Sequence, residues 1–362
     1  MDDITYYFGA GASCKSMPLV ADFKERFQYF IDQLRFLRSP DIERFLNDCQ
    51  DFLKSVSVHF SFDTYFKKLF HQGNPDLSRK NKALLLIYFI FEHLIEVPQK
   101  GTDTKSPMDK KENNPDPRYE ALIAGLLKPI GRKAEFYTRV NFITWNYDIH
   151  ISEAIRSFLD PANPIHNFIN DHGNSITNDK TNKIYINSEV AITHLNGFIN
   201  HPVLNNGSRL TQPAVEEILH DLIKEYCSHN GDVYNYSKSI SFSWENIFYE
   251  NSEPHMPAFI QEAHAAIKRS NNIIICGYSF PLYNRLIDSY LLSHQTLTGK
   301  TLYIQSPNAR DIKEILINDL NIRGNIKYIS VGMDAGTYIK TIPNCDSFFV
   351  PNTIFKTTST SL

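Results

Sequence analysis

The chain has 362 residues, 42% of them apolar, which is enough for a sizeable core and for two lobes or one domain with a large insertion. Its formal net charge is −3, which excludes the global basic excess that holds nucleic acid nonspecifically. Its five cysteines contain no Cys-x-x-Cys pair, which excludes a zinc ribbon or redox pair and favours a reducing cytosol.

The chain opens on a hydrophobic strand, Ile4–Phe8, that runs directly into the turn Gly9-Ala10-Gly11-Ala12-Ser13. Glycines in such a turn let the backbone approach a diphosphate, and a following helix aims its N–H groups at the negative charge. Leu19–Leu37 is predicted to be that amphipathic helix. Gly-rich turns between strand and helix also occur for packing reasons, so both interpretations stay open. Asp2 and Asp3 stand where a signal peptide would carry Lys or Arg, so we expect a cytoplasmic protein.

Residues 41–127 have a helical pattern and no convincing strand, which predicts a helical insertion or lid. The predicted helices are Ile42–Val56, Phe62–His71, Lys82–Val97 and Tyr119–Leu127. The most apolar run, Ala83–Val97, contains Glu92 and His93 and is too short to span a bilayer. Gly101–Arg118 is polar and is predicted to be a solvated loop.

Strands and helices alternate in the rest of the chain, which indicates parallel βαβ units. The predicted strands are Arg139–Trp145, Lys183–Leu195 (as one strand or as a hairpin), Asn272–Cys276, Leu302–Gln305 and Ile326–Ile329. The predicted helices are Asp148–Phe158, Gln212–Tyr226, Pro257–Ser270, Leu282–Ser293 and Ala309–Leu320, and Asp160–Lys183 is predicted to be a long loop.

These elements predict an α/β fold: a Rossmann-like parallel sheet with helices on both faces and a helical insertion or lid subdomain. We expect one domain over residues 1–350, followed by a C-terminal tail over 351–362. Its sheet comes from residues 1–40, 137–200 and 257–345, with a helical insertion at about 41–130 and a helical segment at about 206–250.

Four short motifs fall at predicted strand ends, where open parallel sheets bind their ligands. They are Gly9-Ala10-Gly11-Ala12-Ser13, Thr144-Trp145-Asn146-Tyr147-Asp148, His194-Leu195-Asn196-Gly197 and Gly277-Tyr278-Ser279-Phe280-Pro281. Each motif alone is a weak signal, and their order and spacing together are far more specific.

With these motifs the chain resembles the sirtuin-like NAD hydrolases of bacterial anti-phage defence systems. The resemblance runs from the first strand to roughly residue 310, and the segments Phe62–Leu69 and Ser243–Asn246 show a weaker similarity to the family. It implies a Rossmann-like sheet that binds NAD, a helical lid over the nicotinamide end, and cleavage of NAD to nicotinamide and ADP-ribose. It also implies that the cofactor is contacted by residues of all four motifs and by nearby turns, namely Gly9, Ala10, Gly11, Ala12, Ser13, Asp148, Asn196, Gly197, Gly277, Ser279, Asn284 and Asn308.

Asn146 and Asp148 are the first candidates for chemistry. Cleavage of the N-glycosidic bond of NAD releases neutral nicotinamide and needs no general acid, so the site must stabilise an oxocarbenium-like ribose and position a water. Asn146 offers an amide donor and acceptor for the water or for ribose hydroxyls, and Asp148 could bind the nicotinamide amide or stabilise positive charge. The same two residues could instead form an Asx-turn and a helix cap.

The candidate base is His194. The resembling family has a histidine directly before the glycine of the third motif, where this chain has Asn196. His194 lies two residues earlier, on the same face of a strand, so it could reach the same pocket. His150 is a fallback, and His194 could also be a buried strand histidine with a satisfied hydrogen bond.

The turns of the last βαβ units are expected to face the adenosine side of the cofactor. Family members often carry Asp three residues after the proline of the fourth motif, and this chain has Asn284, a weaker acceptor for a ribose hydroxyl. Ser306 and Asn308 could contact the adenine-side ribose or form an ordinary Ser-Pro-Asn turn.

Two absences narrow the function. The four-cysteine zinc module of sirtuin deacylases is missing, so we expect no zinc, no other metal and no cofactor beyond NAD as substrate. No Gly-x-x-x-x-Gly-Lys-Ser/Thr P-loop is present, so the chain should not hydrolyse ATP.

The resemblance implies a defence effector that depletes NAD on phage infection. It implies control by homo-oligomerisation or by a separate activating protein, such as a translocase-type ATPase or a nucleic-acid-guided protein. We expect no membrane association and no direct nucleic-acid binding. The alternative is a non-catalytic module that binds NAD or ADP-ribose within a larger complex, and a weaker third option is a structural subunit.

Overall fold

The first strand of the chain is buried along almost its whole length, as expected for a strand covered on both faces of a parallel sheet. The structure, a computed structural model, describes residues 3–37, 41–95, 116–130, 133–158, 183–187, 190–199, 204, 212–228, 232–322, 324–331, 340–342 and 347–355. The strands are β1 (Asp3–Phe8), β2 (Leu127–Ile130), β3 (Lys133–Phe136), β4 (Val140–Thr144), β5 (Lys183–Asn187), β6 (Val190–His194), β7 (Phe248–Glu250), β8 (Glu253–His255), β9 (Ser270–Cys276), β10 (Thr301–Gln305), β11 (Asn325–Val331) and β12 (Lys340–Ile342).

Within these residues one eight-stranded sheet has the order β12-β11-β10-β9-β1-β4-β6-β5. All neighbouring strands in it are parallel except β5 and β6, which form the predicted hairpin at one edge. The chain passes from β1 to β4 and β6 on one side and later returns to β9 on the other side of β1. This reversal beside β1 is the topological switch point, where doubly wound sheets bind ligands.

The helices are α1 (Phe23–Leu34), α2 (Ile42–Ser57), α3 (Phe62–His71), α4 (Pro75–Leu94), α5 (Pro117–Leu126), α6 (His150–Ser157), α7 (Gln212–Ser228), α8 (Asp232–Tyr236), α9 (Ala258–Arg269), α10 (Arg285–Leu291), α11 (His294–Leu297) and α12 (Ala309–Glu314). Two apolar cores lie on opposite faces of the sheet. Tyr6 and Phe8 point into the core that contains α1 to α8, and Tyr7 points into the core that contains α9 to α12. The predicted α/β Rossmann-like fold with helices on both faces and a helical insertion is therefore confirmed.

Among the predicted helix starts, that of α4 differs most from the structure. Helix α4 begins at Pro75, seven residues before the predicted Lys82. Asn74 caps it, since its side-chain oxygen accepts a hydrogen bond from Leu77 N at 3.3 Å, and Pro75 occupies the first turn. The cap and the proline therefore start the helix before the polar residues that follow them, which the prediction had left outside the helix.

Two short antiparallel pairs correct the helical interpretation of their segments. Strands β2 and β3 pair directly after α5, where Pro129 favours extended backbone in the preceding residue. Strands β7 and β8 form a hairpin whose turn residues, Asn251 and Ser252, have φ values of 50° and 70°. Positive φ at both central residues matches the twist of a two-residue hairpin.

The predicted loop Asp160–Lys183 lies outside the described residues, except that Lys183 begins β5. The loop Gly101–Arg118 was predicted to be solvated. Of its residues the structure describes 116–118, and Asp116 and Arg118 are buried, which contradicts the prediction for these two side chains. At the predicted tail, residues 352–355 form a 3₁₀ turn, and Asn272 Nδ2 donates to Thr353 Oγ1 at 3.2 Å. None of the described helices is both long and apolar enough to cross a bilayer.

Candidate functional site

A cavity of about 810 Å³ lies at the carboxyl ends of the central strands, beside the switch point. All four strand-end motifs contribute to its wall, as does the turn after β10. The predicted site residues that line it are Ala10, Gly11, Ala12, Ser13, Asn146, Asp148, Asn196, Gly277, Ser279, Asn284 and Asn308. The volume is in the range of small-molecule and cofactor sites.

The glycines of the first and fourth motifs bring two turns into backbone contact. A Cβ on Gly9 would lie 2.6 Å from Tyr278 Cα, and one on Gly277 would lie 2.3 Å from Ala12 N. Gly277 also has a φ of +60°. Gly11 N donates to Gly277 O at 2.9 Å and Ala12 N donates to Gly9 O at 2.8 Å, so these two N–H groups are engaged within the protein. The packing interpretation of these glycines therefore has direct geometric support.

Asn146 is fixed by two hydrogen bonds at the end of β4. Its Nδ2 donates to Gly9 O at 3.1 Å and to Ser13 Oγ at 3.0 Å. The carbonyl of Gly9 can only accept, which determines the orientation of the amide. With both N–H groups used, Oδ1 is the polar atom of this side chain that is left for a ligand. Asn146 thus offers an acceptor, whereas the sequence predicted both a donor and an acceptor.

Asp148 and Ser13 complete a hydrogen-bonded group around Asn146. Ser13 Oγ donates to Asp148 Oδ2 at 2.7 Å and contacts Tyr119 Oη at 2.9 Å. The second oxygen of Asp148 accepts from His150 N at 3.2 Å, at the start of α6. Asp148 therefore has the Asx-turn contact of the structural alternative, directly before α6, and also lines the cavity.

The third motif supports the site from behind. His194 is buried and is not among the described residues that line the cavity, none of which is a histidine. Burial lowers the pKa of His194 to about 4, against the raising effects of its hydrogen bond to Asn146 and the charge of Asp148. The neutral ring therefore donates from Nδ1 to Asn146 O at 3.2 Å. His194 is placed to position Asn146, and its position gives no support to the predicted role of base.

The remaining members of the third motif are held by structural contacts, and the fallback base lies away from the cavity wall. Asn196 lines the cavity, but its Oδ1 accepts from Ser243 N at 3.1 Å. Gly197 has a φ of +77°, and an added Cβ would lie 1.8 Å from Ser239 O, which explains the glycine by packing. His150, the fallback base, is fully buried and does not line the cavity.

The fourth motif is held by a buried polar chain that the sequence did not predict. Asn284 Nδ2 donates to Tyr278 Oη at 3.1 Å, and Tyr278 Oη donates to Asp288 Oδ2 at 3.0 Å. Tyr7 Oη donates to the other oxygen of Asp288 at 2.7 Å. Burial raises the pKa of Asp288 to about 7, although both tyrosine hydrogen bonds lower it. Asn284 therefore positions Tyr278 as well as lining the cavity.

The turn after β10 has the local geometry of its structural alternative and still faces the cavity. Asn308 N donates to Ser306 Oγ at 3.3 Å, as in an ordinary Ser-Pro-Asn turn. Both residues line the cavity. Next to them, Gln305 accepts from Phe349 N at 2.9 Å and donates to Ser347 O at 2.8 Å. These bonds attach the C-terminal segment to the site.

Arg118 is a site residue that sequence reasoning missed. It is the only Lys or Arg among the described residues that line the cavity. Its guanidinium forms a buried ion pair with Asp116 at 2.6 Å and donates to Ala12 O at 2.6 Å. This pair raises the pKa of Arg118 despite the opposing effect of burial. Asp116-Pro117 is a helix-start signal, but the sequence carries no signal that its charges are buried.

Asp63 is the second missed residue. It lines the aromatic part of the cavity with Phe62, Phe89 and Tyr147, and its side chain is buried. Burial raises the pKa of Asp63 to about 7. The Tyr147 hydroxyl nearby is buried without a hydrogen-bond partner. The available signal was the position of Asp63 among the apolar residues of Phe62–Leu69, where a solvated helix would keep its charges on the other face.

Comparison of the sequence with protein-family models and with curated proteins finds no match.

Proposed function

We propose that the protein is an NAD glycohydrolase that cleaves NAD to nicotinamide and ADP-ribose. The observation that carries the proposal is the convergence of the four strand-end motifs on one large cavity, with Asn146 clamped at its wall. The proposal also rests on the resemblance of those motifs to the sirtuin-like NAD hydrolases of anti-phage defence.

The reaction needs little from the protein in acid or base chemistry. The C1′–N bond breaks with its electron pair moving to the pyridinium nitrogen, so nicotinamide leaves neutral. A water oxygen then bonds to C1′ and releases its proton, which passes to solvent. Asn146 Oδ1 would accept a hydrogen bond from this water or from a ribose hydroxyl, and the Asp148 carboxylate would stabilise the positive ribose. This scheme assigns His194 to positioning Asn146.

The lining of the cavity includes groups that suit each end of NAD. The aromatic side chains of Phe62, Phe89 and Tyr147 would pack against the nicotinamide ring, and Asp63 would accept from or donate to its amide. Arg118, whose charge is paired with Asp116, would hold the first turn in place beside the diphosphate through its hydrogen bond to Ala12 O. Ser306 and Asn308 would face the adenine-side ribose.

We propose the biological role from the resemblance as well. The enzyme would act in the cytoplasm as a defence effector that depletes NAD during phage infection. Such an activity must be restrained, so we propose control through homo-oligomerisation or through a separate activating protein such as a translocase-type ATPase.

A second candidate function is a non-catalytic module that binds NAD or ADP-ribose within a larger complex. The observation that favours it is the absence of any histidine from the described cavity wall. A site without a histidine base can still hold the ligand, and the polar atoms of Asn146 and Asn308 would serve binding equally well.

The deciding experiment measures nicotinamide release from NAD by the purified protein and ADP-ribose binding by calorimetry. The variants are Asn146→Ala, His194→Gln and, as a matched control, Asn246→Ala at an exposed position away from the cavity. An enzyme should lose turnover in Asn146→Ala with ADP-ribose affinity within a few-fold, lose less in His194→Gln, and lose none in Asn246→Ala.

Two other outcomes point elsewhere. Tight ADP-ribose binding with no nicotinamide release, even with the native partner present, would establish the binding module. Absence of both ligand binding and turnover would leave the structural subunit of a larger assembly.

A further inference from the structure

A buried cluster of two histidines and one glutamate lies behind the cavity, where α4 meets α6. His93 Nε2 lies 3.0 Å from Glu153 Oε1, and His150 Nδ1 lies 3.4 Å from Glu153 Oε2. The two imidazole rings are stacked with centroids 5.2 Å apart. Each residue contributes one donor atom, and these three atoms lie within 4.8 Å of one another.

The polar atoms of this cluster are incompletely satisfied by the protein. Both ring nitrogens of His150 and Oε2 of Glu153 are buried without a hydrogen-bond partner among the described residues. His150 has no exposed surface at all. Buried imidazole and carboxylate groups are normally hydrogen-bonded or bound to a metal. Nδ1 of His150 faces Oε2 of Glu153 at 3.4 Å, which is too long for a strong hydrogen bond, and a metal ion bound between them would satisfy both atoms.

We propose that His93, His150 and Glu153 bind one divalent transition-metal ion of the zinc class. Two imidazole nitrogens and one carboxylate are the three-ligand set that zinc uses when it keeps a further position open, and other first-row metals accept the same set. The side chain of Glu153 is 16% exposed, which gives the ion a route from solvent. This site differs from the four-cysteine module whose absence the sequence revealed.

The position of the site indicates a structural effect on the loop that carries Asn146 and Asp148. His150 and Glu153 lie in the first turns of α6, directly after that loop, whereas His93 lies in the last turn of α4. One ion would thus join the helical insertion to the segment that follows β4. The His150 ring also stacks on the Tyr119 ring, with a distance of 6.1 Å between the ring centroids. The Tyr119 hydroxyl in turn contacts Ser13 in the cavity wall. The proposal does not depend on NAD cleavage.

The test is metal binding by the whole chain. Chelator-treated protein is titrated with Zn²⁺ or Co²⁺, and the bound metal, the visible absorption of Co²⁺ and the melting temperature are measured. We expect one ion per chain, a Co²⁺ spectrum of low coordination number, and a higher melting temperature with metal. His93→Gln and Glu153→Gln should each weaken binding more than about 100-fold, because loss of even an outer-shell partner costs ~10–100-fold.

The matched control is His264→Gln, a histidine of α9 whose Nε2 contacts Thr296 Oγ1 and which lies outside the cluster. It should bind metal as the wild type does. The proposal fails if the wild type binds no stoichiometric ion, which would leave a histidine–glutamate hydrogen-bond network. It also fails if the cluster variants bind as tightly as the control. The titration of the wild type alone shows whether the protein binds an ion. The proposal can therefore be tested even if one of the variants does not fold.

Discussion

Replacing Asp63 by Asn should stabilise the protein, and the gain should grow as the pH rises. Asp63 is buried in the cavity wall, which raises its pKa from 3.8 to about 7. In the unfolded chain the carboxyl loses its proton near its ordinary pKa of 3.8. The unfolded state is therefore favoured progressively as the pH rises from about 4 to about 7. Asn has the same shape and no proton to lose.

The magnitude follows from the two pKa values. Each pKa unit between the folded and unfolded states is worth about 1.4 kcal/mol. The step from 3.8 to about 7 corresponds to about 4 kcal/mol over the full range. Between pH 5 and pH 8, the coupling of protonation to unfolding accounts for about 2–3 kcal/mol of this change. Asp288, whose pKa is also raised to about 7, changes stability in the same direction but is present in both proteins.

The assay is urea-induced unfolding of the wild type and Asp63→Asn at pH 5, 6, 7 and 8. The quantity of interest is the difference in unfolding free energy, which cancels the titration of every other group. Asp51→Asn, at an exposed position on α2, is the matched control and should show a difference that is independent of pH. A difference between Asp63→Asn and wild type that stays constant from pH 5 to pH 8 would refute the reasoning.

Three further predictions test other parts of the site. Gly277→Ala should lower the unfolding free energy by about 2 kcal/mol more than Gly73→Ala does. Both glycines have positive φ (+60° and +64°), but only Gly277 lacks space for a Cβ. Equal losses of unfolding free energy in urea would contradict the packing argument. Arg118→Met should cost about 3–5 kcal/mol by leaving Asp116 buried without its partner, and Asp116→Asn in the same chain should recover part of that loss in a double-mutant cycle. The pKa of His194 is lowered from 6.5 to about 4, so the unfolded chain takes up its proton first and stability should fall by up to about 3 kcal/mol as the pH drops through that window. His194→Gln should lack this loss, and parallel stability curves for the two proteins between pH 7 and pH 4.5 would contradict the assignment.

The sequence by itself determined the type and order of most elements. The mostly apolar sequence of β1 and the βαβ alternation after residue 257 predict a parallel sheet, because strands covered on both faces have few polar residues. Helix α3 occupies the predicted residues Phe62–His71. The sequence also placed four motifs at strand ends. Because parallel strands bring their carboxyl ends to one edge of the sheet, these motifs necessarily lie near one another.

Only the tertiary structure decided which side chains face the cavity. His194 and Asn146 end neighbouring strands, yet Asn146 lines the cavity and His194 lies behind it, bonded to the Asn146 carbonyl. Asp116 and Arg118 have the polar sequence of a surface loop and become a buried ion pair in the cavity wall. His93 and His150 are separated by more than fifty residues and stack where α4 meets α6. The physical reason is that local spacing fixes the period of a helix or strand, whereas burial, hydrogen-bond partners and pKa depend on elements that meet only when the chain is folded.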